Sequence, residues 1–462
     1  MTVYETMQRA AADLALRPLL RFIGKNPGPN LVKLVDIVDF VSRGTFPKRT
    51  IEAFKAGALD EGNVWKQMAE GVLRDVDRAA LRRLLLSLGL GIANGTRLVR
   101  KNREKYGCNI PFQILFDPTS ACNLRCRGCW AGEYQKHENL TLEEMDDIVR
   151  QAKKLGTRVF MLTGGEPLIR KRDVLTIAGR HRECTFLIYT NATLIDEALV
   201  REVRRLGNIS FAVSVEGFEP TNDARRGAGA YRRSMQAIDL LKKERCLFGI
   251  SVCYTAENIE TVTSDEFIDE MIARGVKFGF YFHYMPLGKH AAPELMPSPE
   301  QRERMYGRLR ELRNSKTGRP MFIMDFQNDA EYVGGCIGGG RNYFHINSAG
   351  DMEPCVFIHY SDSNVRRHTL LEALQRPLFQ AFYRGQPFNR NHLRPCPMLE
   401  NPQLLRGMVR DAGANSTDLA APEDVDDLCA KCDHYAAHWK PAAEKVWEGN
   451  RHPKPKTQYY GE

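Results

Sequence analysis

A chain of 462 residues, 43% hydrophobic and with a formal net charge of +9, has room for two or three domains and a sizeable core. No basic-then-apolar leader pattern opens it, and its most apolar short run, residues 84–92, is too short to span a bilayer. Twelve cysteines in so long a chain exclude a small disulfide scaffold, and several stand at metal-ligand spacing, which points to a reducing cytoplasm.

Residues 1–109 read as helical. Leu31, Leu34, Val35 and Val38 recur at helical spacing, and Asp77 to Leu90 continues that pattern. Gly24 to Asn30, punctuated by Pro27 and Pro29, reads as a break between helices. Residues 1–110 carry 19 Lys+Arg against 11 Asp+Glu, so nearly all the net charge lies in this head. A basic head on a near-neutral body suits an acidic surface or substrate. Its helices are expected to cap the domain that follows.

From Pro111 the pattern becomes repeating strand–helix units. Apolar strands are expected at 113–116, 158–162, 185–189, 210–214, 248–254 and 278–284. Thr141 with Glu144 opens the first long helix as a capping box. Ser298, Pro299 and Gln301 start another near 299–314. Six alternating units imply an α/β fold, a partial (βα)6 barrel of parallel strands over residues 110–320. Ligands in such folds bind at the carboxyl ends of the strands. After about residue 320 the rhythm changes. Gly334 to Gly340 is turn-rich, and Phe344–Asn347 followed by Ser348–Asp351 reads as a hairpin. A small cysteine-rich α+β domain is expected over 321–462, with a polar, mobile tail from His452.

The chemistry begins with Cys122, Cys126 and Cys129, spaced C-x3-C-x2-C just after the first strand. Three thiolates hold three irons of a four-iron cluster and leave the fourth iron open; a zinc knuckle or a buried-thiol loop is the alternative. After the second strand comes Thr163-Gly164-Gly165-Glu166-Pro167, whose glycines permit close backbone approach and whose carboxylate suits a cationic amine. The fourth strand ends in Ser214-Val215-Glu216-Gly217, and Arg225-Arg226-Gly227 follows. In the C-terminal region Cys336, Gly350 and Cys355 make C-x13-G-x4-C, then come Cys396 and the pair Cys429/Cys432. Cys108, Cys184, Cys246 and Cys253 are isolated and read as buried small hydrophobes.

These motifs resemble the radical S-adenosylmethionine (radical SAM) superfamily, of the SPASM/twitch type with a C-terminal auxiliary cluster. The likeness covers residues 110 to about 435. It implies a [4Fe–4S] cluster on Cys122, Cys126 and Cys129, with S-adenosylmethionine chelating the open iron. The Gly164-Gly165-Glu166-Pro167 run would receive the methionine amine. Ser214 and Arg226, or Arg225, would meet the ribose and carboxylate. Glu216 stands where the family usually has Asp. The family's aromatic residue before the third cysteine is here Gly128, and Trp130 is the alternative adenine contact. Thr190 and Asn191 either touch the cofactor or shape the loop, and Met285 to Gly288 is placed to reach the adenine. Five C-terminal cysteines suffice for one auxiliary cluster. The twitch pattern selects Cys336, Cys355, Cys429 and Cys432, with Cys396 a spare thiol or a replacement; a four-thiolate zinc site is the competing reading. The resemblance further implies reductive cleavage of the cofactor and hydrogen abstraction from an unactivated carbon. A one-electron donor such as flavodoxin or ferredoxin is implied. The substrate is expected to be a peptide, or a lipid-like molecule met through peripheral membrane contact of the basic head, and no nucleic acid is expected. A non-catalytic iron–sulfur electron carrier or sensor is the alternative class.

Overall fold

The computed structural model describes residues 3–22, 27–42, 48–135 and 137–449. The expected tail from His452 and part of the expected break, Gly24 to Asn26, lie outside them. Pro27 and Pro29 instead open a helix, where their missing N–H groups cost nothing.

Six apolar runs form strands within a residue or so of expectation: β1 (Gln113–Phe116), β2 (Val159–Leu162), β3 (Thr185–Thr190), β4 (Ile209–Ser214), β5 (Phe248–Tyr254) and β6 (Phe278–His283). They pair in chain order, all parallel. Helices join them, as parallel pairing requires. The helix Leu142–Leu155 carries the capping box of Thr141 and Glu144, and Pro299–Leu312 carries that of Ser298 and Gln301.

The sheet does not stop at residue 320. β7 (Phe322–Asp325) adds parallel to β6, β8 (Tyr343–Ile346) adds parallel to β1, and β9 (Met352–Glu353) closes the hairpin on β8. Nine strands thus run in the order β7-β6-β5-β4-β3-β2-β1-β8-β9. The reason is burial: all four residues of β8 are buried, so the strand needs neighbours on both faces.

The two faces of the sheet make two cores. Outward-facing Ile114, Phe116, Phe160, Phe186 and Phe211 pack with helix residues such as Ile148 and Val203. Inward-facing Leu115 and Tyr343 pack with Val356, Phe357, Leu428 and Trp439 of the C-terminal region. The C-terminal region therefore fills part of the barrel's interior.

Among the described residues five helices precede β1: α1 (Val3–Phe22), α2 (Pro27–Ser42), α3 (Lys48–Leu59), α4 (Val64–Asp75) and α5 (Arg78–Tyr106). Asp77 caps α5 by accepting the N–H groups of Ala79 and Ala80, and Gly107 ends it in the left-handed conformation. Ala12, Leu16, Leu20, Leu81 and Leu86 form a separate small core. The head is tied to the residues that lead into strands. Lys277, before β6, pairs with Asp75 at 2.6 Å, and Arg83 donates to the Arg204 carbonyl at 2.8 Å. At Gly95 an added Cβ would lie 2.4 Å from the Gly156 oxygen, just before β2. The head thus closes the amino end of the barrel, opposite the loops that carry the motifs.

Candidate active site

The cysteine loop follows β1, and the loop after β2 lies directly on it. Gly165 N donates to the Thr119 oxygen at 3.0 Å and Glu166 N to the Ala121 oxygen at 2.8 Å. A Cβ at Gly165 would sit 2.1 Å from the Ala121 oxygen, and Gly164 has a φ of 108°. Only glycine permits this contact. Glu166 is buried. Its carboxylate accepts from Leu168 N at 3.0 Å, Thr190 Oγ1 at 2.7 Å and Asn191 N at 2.8 Å. Burial pushes its pKa up, against these donors. A carboxylate has about four acceptor positions, so one remains for a ligand. Pro167 opens a short 3-10 turn that carries the loop away.

Asn191 bridges the motifs. Its Nδ2 lies 2.9 Å from Asn123 Oδ1 and 4.0 Å from Cys122 Sγ. Thr190 and Asn191 therefore orient Glu166 and the cysteine loop. Ser214 stands half-buried at the end of β4. Glu216 is fully buried and clamped: Oε1 takes Arg225 Nη1 at 2.8 Å and Arg226 Nη2 at 2.5 Å, and Oε2 takes Cys253 N at 3.0 Å. Both arginines engage this carboxylate, so the sequence's choice between them has no counterpart in the clamp. Arg225 also reaches the Gly128 oxygen at 3.4 Å.

Of the three thiols, Cys122 is exposed and Cys126 and Cys129 are half-buried. Leu124 N donates to the Cys122 sulfur at 3.5 Å. Burial raises Cys126, and the Arg226 and Arg225 guanidinium groups oppose that rise. Such cationic neighbours favour thiolates. Among the described residues no three His, Cys, Asp or Glu side chains converge closely enough to hold a single ion. A four-iron cluster asks less convergence, because each thiolate meets its own iron. Three cysteines on one loop, with the Arg226 and Arg225 guanidinium groups beside Cys126, are a donor set that a four-iron cluster takes.

Gly128 has a φ of 62°, and a Cβ there would lie 2.6 Å from the Tyr284 ring. Tyr284, directly after β6, occupies the space beside the third cysteine. Met285 and Leu287 follow it, buried in the interior core. Trp130 turns the other way, with its ring edge-on to Tyr134 at 6.0 Å, His345 at 5.8 Å and His359 at 6.0 Å. It packs between the cysteine loop and the hairpin that bears Cys355.

Beneath Trp130 lies a polar network that the sequence did not announce. His345, on β8, places Nε2 3.0 Å from Asp117 Oδ1 and Nδ1 2.6 Å from Glu353 Oε2, all fully buried. Tyr134 Oη and Asn347 Nδ2 also donate to Glu353. Burial alone lowers the His345 pKa, but Asp117 and Glu353 outweigh it and raise the group to about 10. The raised value means that the charge pairing stabilises the fold fully below about pH 6.5 and loses that effect as pH rises through about 10. In denaturant titrations, the stability difference between wild type and His345→Gln is expected to shrink across that interval. A difference that grows with pH would contradict an imidazolium at this position.

The inner wall of the barrel is aromatic. Tyr189 meets Phe280 and Phe282, and Phe282 meets Phe326 and Phe357. Tyr189, Phe280, Phe282 and Phe326 keep partial exposure though they face inward, which marks an interior chamber with apolar walls.

The C-terminal cysteines border the same interior core. Cys336 follows the turn at Gly334–Gly335, and Cys355 is buried at the end of the hairpin, its sulfur 2.7 Å from Tyr343 Oη. Cys396 is half-buried. Cys429 and Cys432 lie one turn apart, buried, on the helix Val425–Gly449.

The family model described as the Radical SAM superfamily matches residues 116–269. The chain is 27% identical over 293 residues to an AdoMet-dependent heme synthase of Methanosarcina barkeri, covering 57% of this chain and 82% of that relative. It is 26% identical over 309 residues to the PqqA peptide cyclase of Granulibacter bethesdensis, covering 63% and 80%. Its fold is similar to that of Streptococcus suis SuiB, with a TM-score of 0.53 at 18% identity over 65% of this chain and 73% of that one.

Proposed function

Because residues 116–269 of this chain form a radical SAM domain, we propose that Cys122, Cys126 and Cys129 hold a [4Fe–4S] cluster and that the loops around them bind S-adenosylmethionine. The observation that carries this reading is the contact of the cysteine loop with the Gly164–Glu166 loop, which places three thiols and a buried carboxylate in one site. When bound, the cluster and cofactor would supply one-electron radical chemistry at an unactivated carbon of the substrate. The chain's own residues position and shield. Glu166 receives the ammonium through its remaining acceptor position. Asn191 holds Glu166 and the cysteine loop in register. Arg226 and Arg225 bring positive charge beside Cys126, and Ser214 offers a hydroxyl at the end of β4. Trp130 walls the site toward the C-terminal region, and the aromatic chamber lines it with apolar surface. Cys122, the exposed thiol, marks the side from which a flavodoxin- or ferredoxin-like donor delivers an electron.

The chamber walls suit an apolar group of a peptide or lipid-like substrate. The relatives' names point to heme and to the PqqA peptide, so both a planar and a peptide substrate are compatible with such walls. The basic head lies at the opposite end, so membrane contact through it leaves the site facing away from the bilayer. No helix among the described residues is long and apolar enough to cross a membrane.

The C-terminal cysteines complete the reading as a SPASM/twitch-like auxiliary [4Fe–4S] site. Anaerobic reconstitution is expected to load about eight irons per chain, four at each site. Zinc in place of iron at the C-terminal site, or about four irons in all, would reduce the enzyme to a single cluster.

A further inference from the structure

We propose that the outer surface of helices α1–α3 docks on an anionic lipid bilayer, with Met7, Leu14, Phe40 and Phe54 entering the headgroup layer. The inference goes beyond the chemistry above and uses none of the cysteines.

Three observations carry it. First, exposed apolar side chains gather here. Met7, Leu14, Phe40, Phe54 and Leu59 are 58–82% exposed, and no other large apolar side chain among the described residues exceeds 49%. Single exposed apolar residues are ordinary, but a concentration of them on one part of a molecule marks an interaction surface. Second, α1 is apolar on both of its faces. Ala12, Leu16 and Leu20 turn inward onto Leu81 and Leu86 of α5. Met7, Ala10, Ala11, Leu14, Ala15 and Pro18 share the opposite, exposed face at helical spacing. The other exposed side chains of α1 among the described residues are those of Arg17 and Arg21. A helix on the surface of a globular protein turns one apolar stripe inward and a polar face to water. A second apolar face flanked by arginine suits a helix that lies in a membrane interface. Third, the surface is basic. The exposed positions of α1–α3 hold Arg17, Arg21, Lys33, Lys48 and Arg49 against Asp36 and Glu52, five basic to two acidic. Asp36 is paired with Lys55, and half-buried Asp13 pairs with Arg17 at 2.6 Å and Arg82 at 3.2 Å.

The composition of the surface selects its occupant. Among the described side chains, the exposed positions of these three helices include no Ser, Thr, Asn or Gln. A protein interface carries many direct hydrogen bonds, whereas anionic headgroups ask only for positive charge and inserted apolar groups. A second copy of the chain would set positive charge against positive charge. The ties from the head to the barrel run through Asp75 on α4 and Arg83 on α5, which leaves the outer faces of α1–α3 uncovered. The docked protein then presents the carboxyl end of its barrel to water.

The test sediments the full-length protein with vesicles of phosphatidylcholine alone, and with vesicles of equal parts phosphatidylcholine and phosphatidylglycerol. It should bind the anionic vesicles about tenfold tighter or more, and added salt should weaken that binding. Leu14→Gln, Phe40→Gln and Phe54→Gln together should cut the affinity by about tenfold or more. Lys48→Glu with Arg49→Glu should erase the preference for anionic vesicles. No binding to anionic vesicles, equal binding to both kinds, or binding unaltered by the apolar variant overturns the proposal. A dimer in sedimentation velocity that the apolar variant dissociates assigns the face to a second copy and overturns it as well. If a variant fails to fold, judged by circular dichroism, the lipid preference and salt dependence of the unaltered protein decide. Vesicle binding needs no cluster, so this proposal and the radical SAM reading fail separately.

Discussion

Replacing Cys122, Cys126 and Cys129 together with alanine is expected to remove about four irons per chain and to abolish reductive cleavage of S-adenosylmethionine. The loop itself should survive the change. Its backbone is held chiefly by Gly165 N and Glu166 N on the Thr119 and Ala121 oxygens, and by Ser120 N on the Glu138 oxygen at 3.0 Å; the one backbone contact to these thiols, Leu124 N on the Cys122 sulfur, is long at 3.5 Å. Iron counting and product chromatography on the folded variant separate loss of chemistry from loss of structure. Wild-type amounts of 5′-deoxyadenosine from this variant would end the assignment of the three thiols.

Glu166→Gln should carry the next largest effect. A charge-assisted hydrogen bond to an ammonium is worth roughly 1.5–3 kcal/mol, which is about 10- to 150-fold in affinity. The substitution also works inside the protein. Two backbone N–H groups, those of Leu168 and Asn191, point at the carboxylate along with Thr190 Oγ1. The glutamine amide has one acceptor oxygen, so its NH2 group must face one of those donors, at a cost of about 1–3 kcal/mol. Iron content should stay unchanged, because the Glu166 carboxylate bonds to Leu168, Thr190 and Asn191 and to none of the three sulfurs, and its backbone N–H on the Ala121 oxygen is untouched by the substitution. An anaerobic titration that finds unaltered cofactor affinity would contradict the role of Glu166.

The strands and their loops were legible because each depends on local pattern. Buried parallel strands read as apolar runs, and β1 and β5 match the expected ranges residue for residue. The cysteine and glycine motifs then fell at the carboxyl ends because chain order placed them after successive strands. Long-range pairing was not legible. β8 reads as one arm of a hairpin, which it is, but its parallel pairing with β1 joins segments far apart in the chain. That pairing carries part of the expected C-terminal domain into the barrel sheet. Glu216 was read by motif alone, and nothing in its neighbours showed that two arginines would clamp it. Asp117, His345 and Glu353 gave no signal, since each is an isolated polar residue until β1, β8 and β9 bring them together. Trp130 was open to two readings, and its packing on Tyr134, His345 and His359 depends on the hairpin that follows β8.

The central claim is that this site uses an iron–sulfur cluster to cleave S-adenosylmethionine, and one measurement bears on it most directly. The anaerobically reconstituted wild-type protein is mixed with S-adenosylmethionine and a strong one-electron reductant, and 5′-deoxyadenosine is followed by chromatography. The account predicts 5′-deoxyadenosine and methionine in equal amounts, formed only with reductant present and absent from the Cys122/Cys126/Cys129 variant. Iron-loaded wild-type protein that binds the cofactor and yields neither product would contradict the account and leave a non-catalytic iron–sulfur protein.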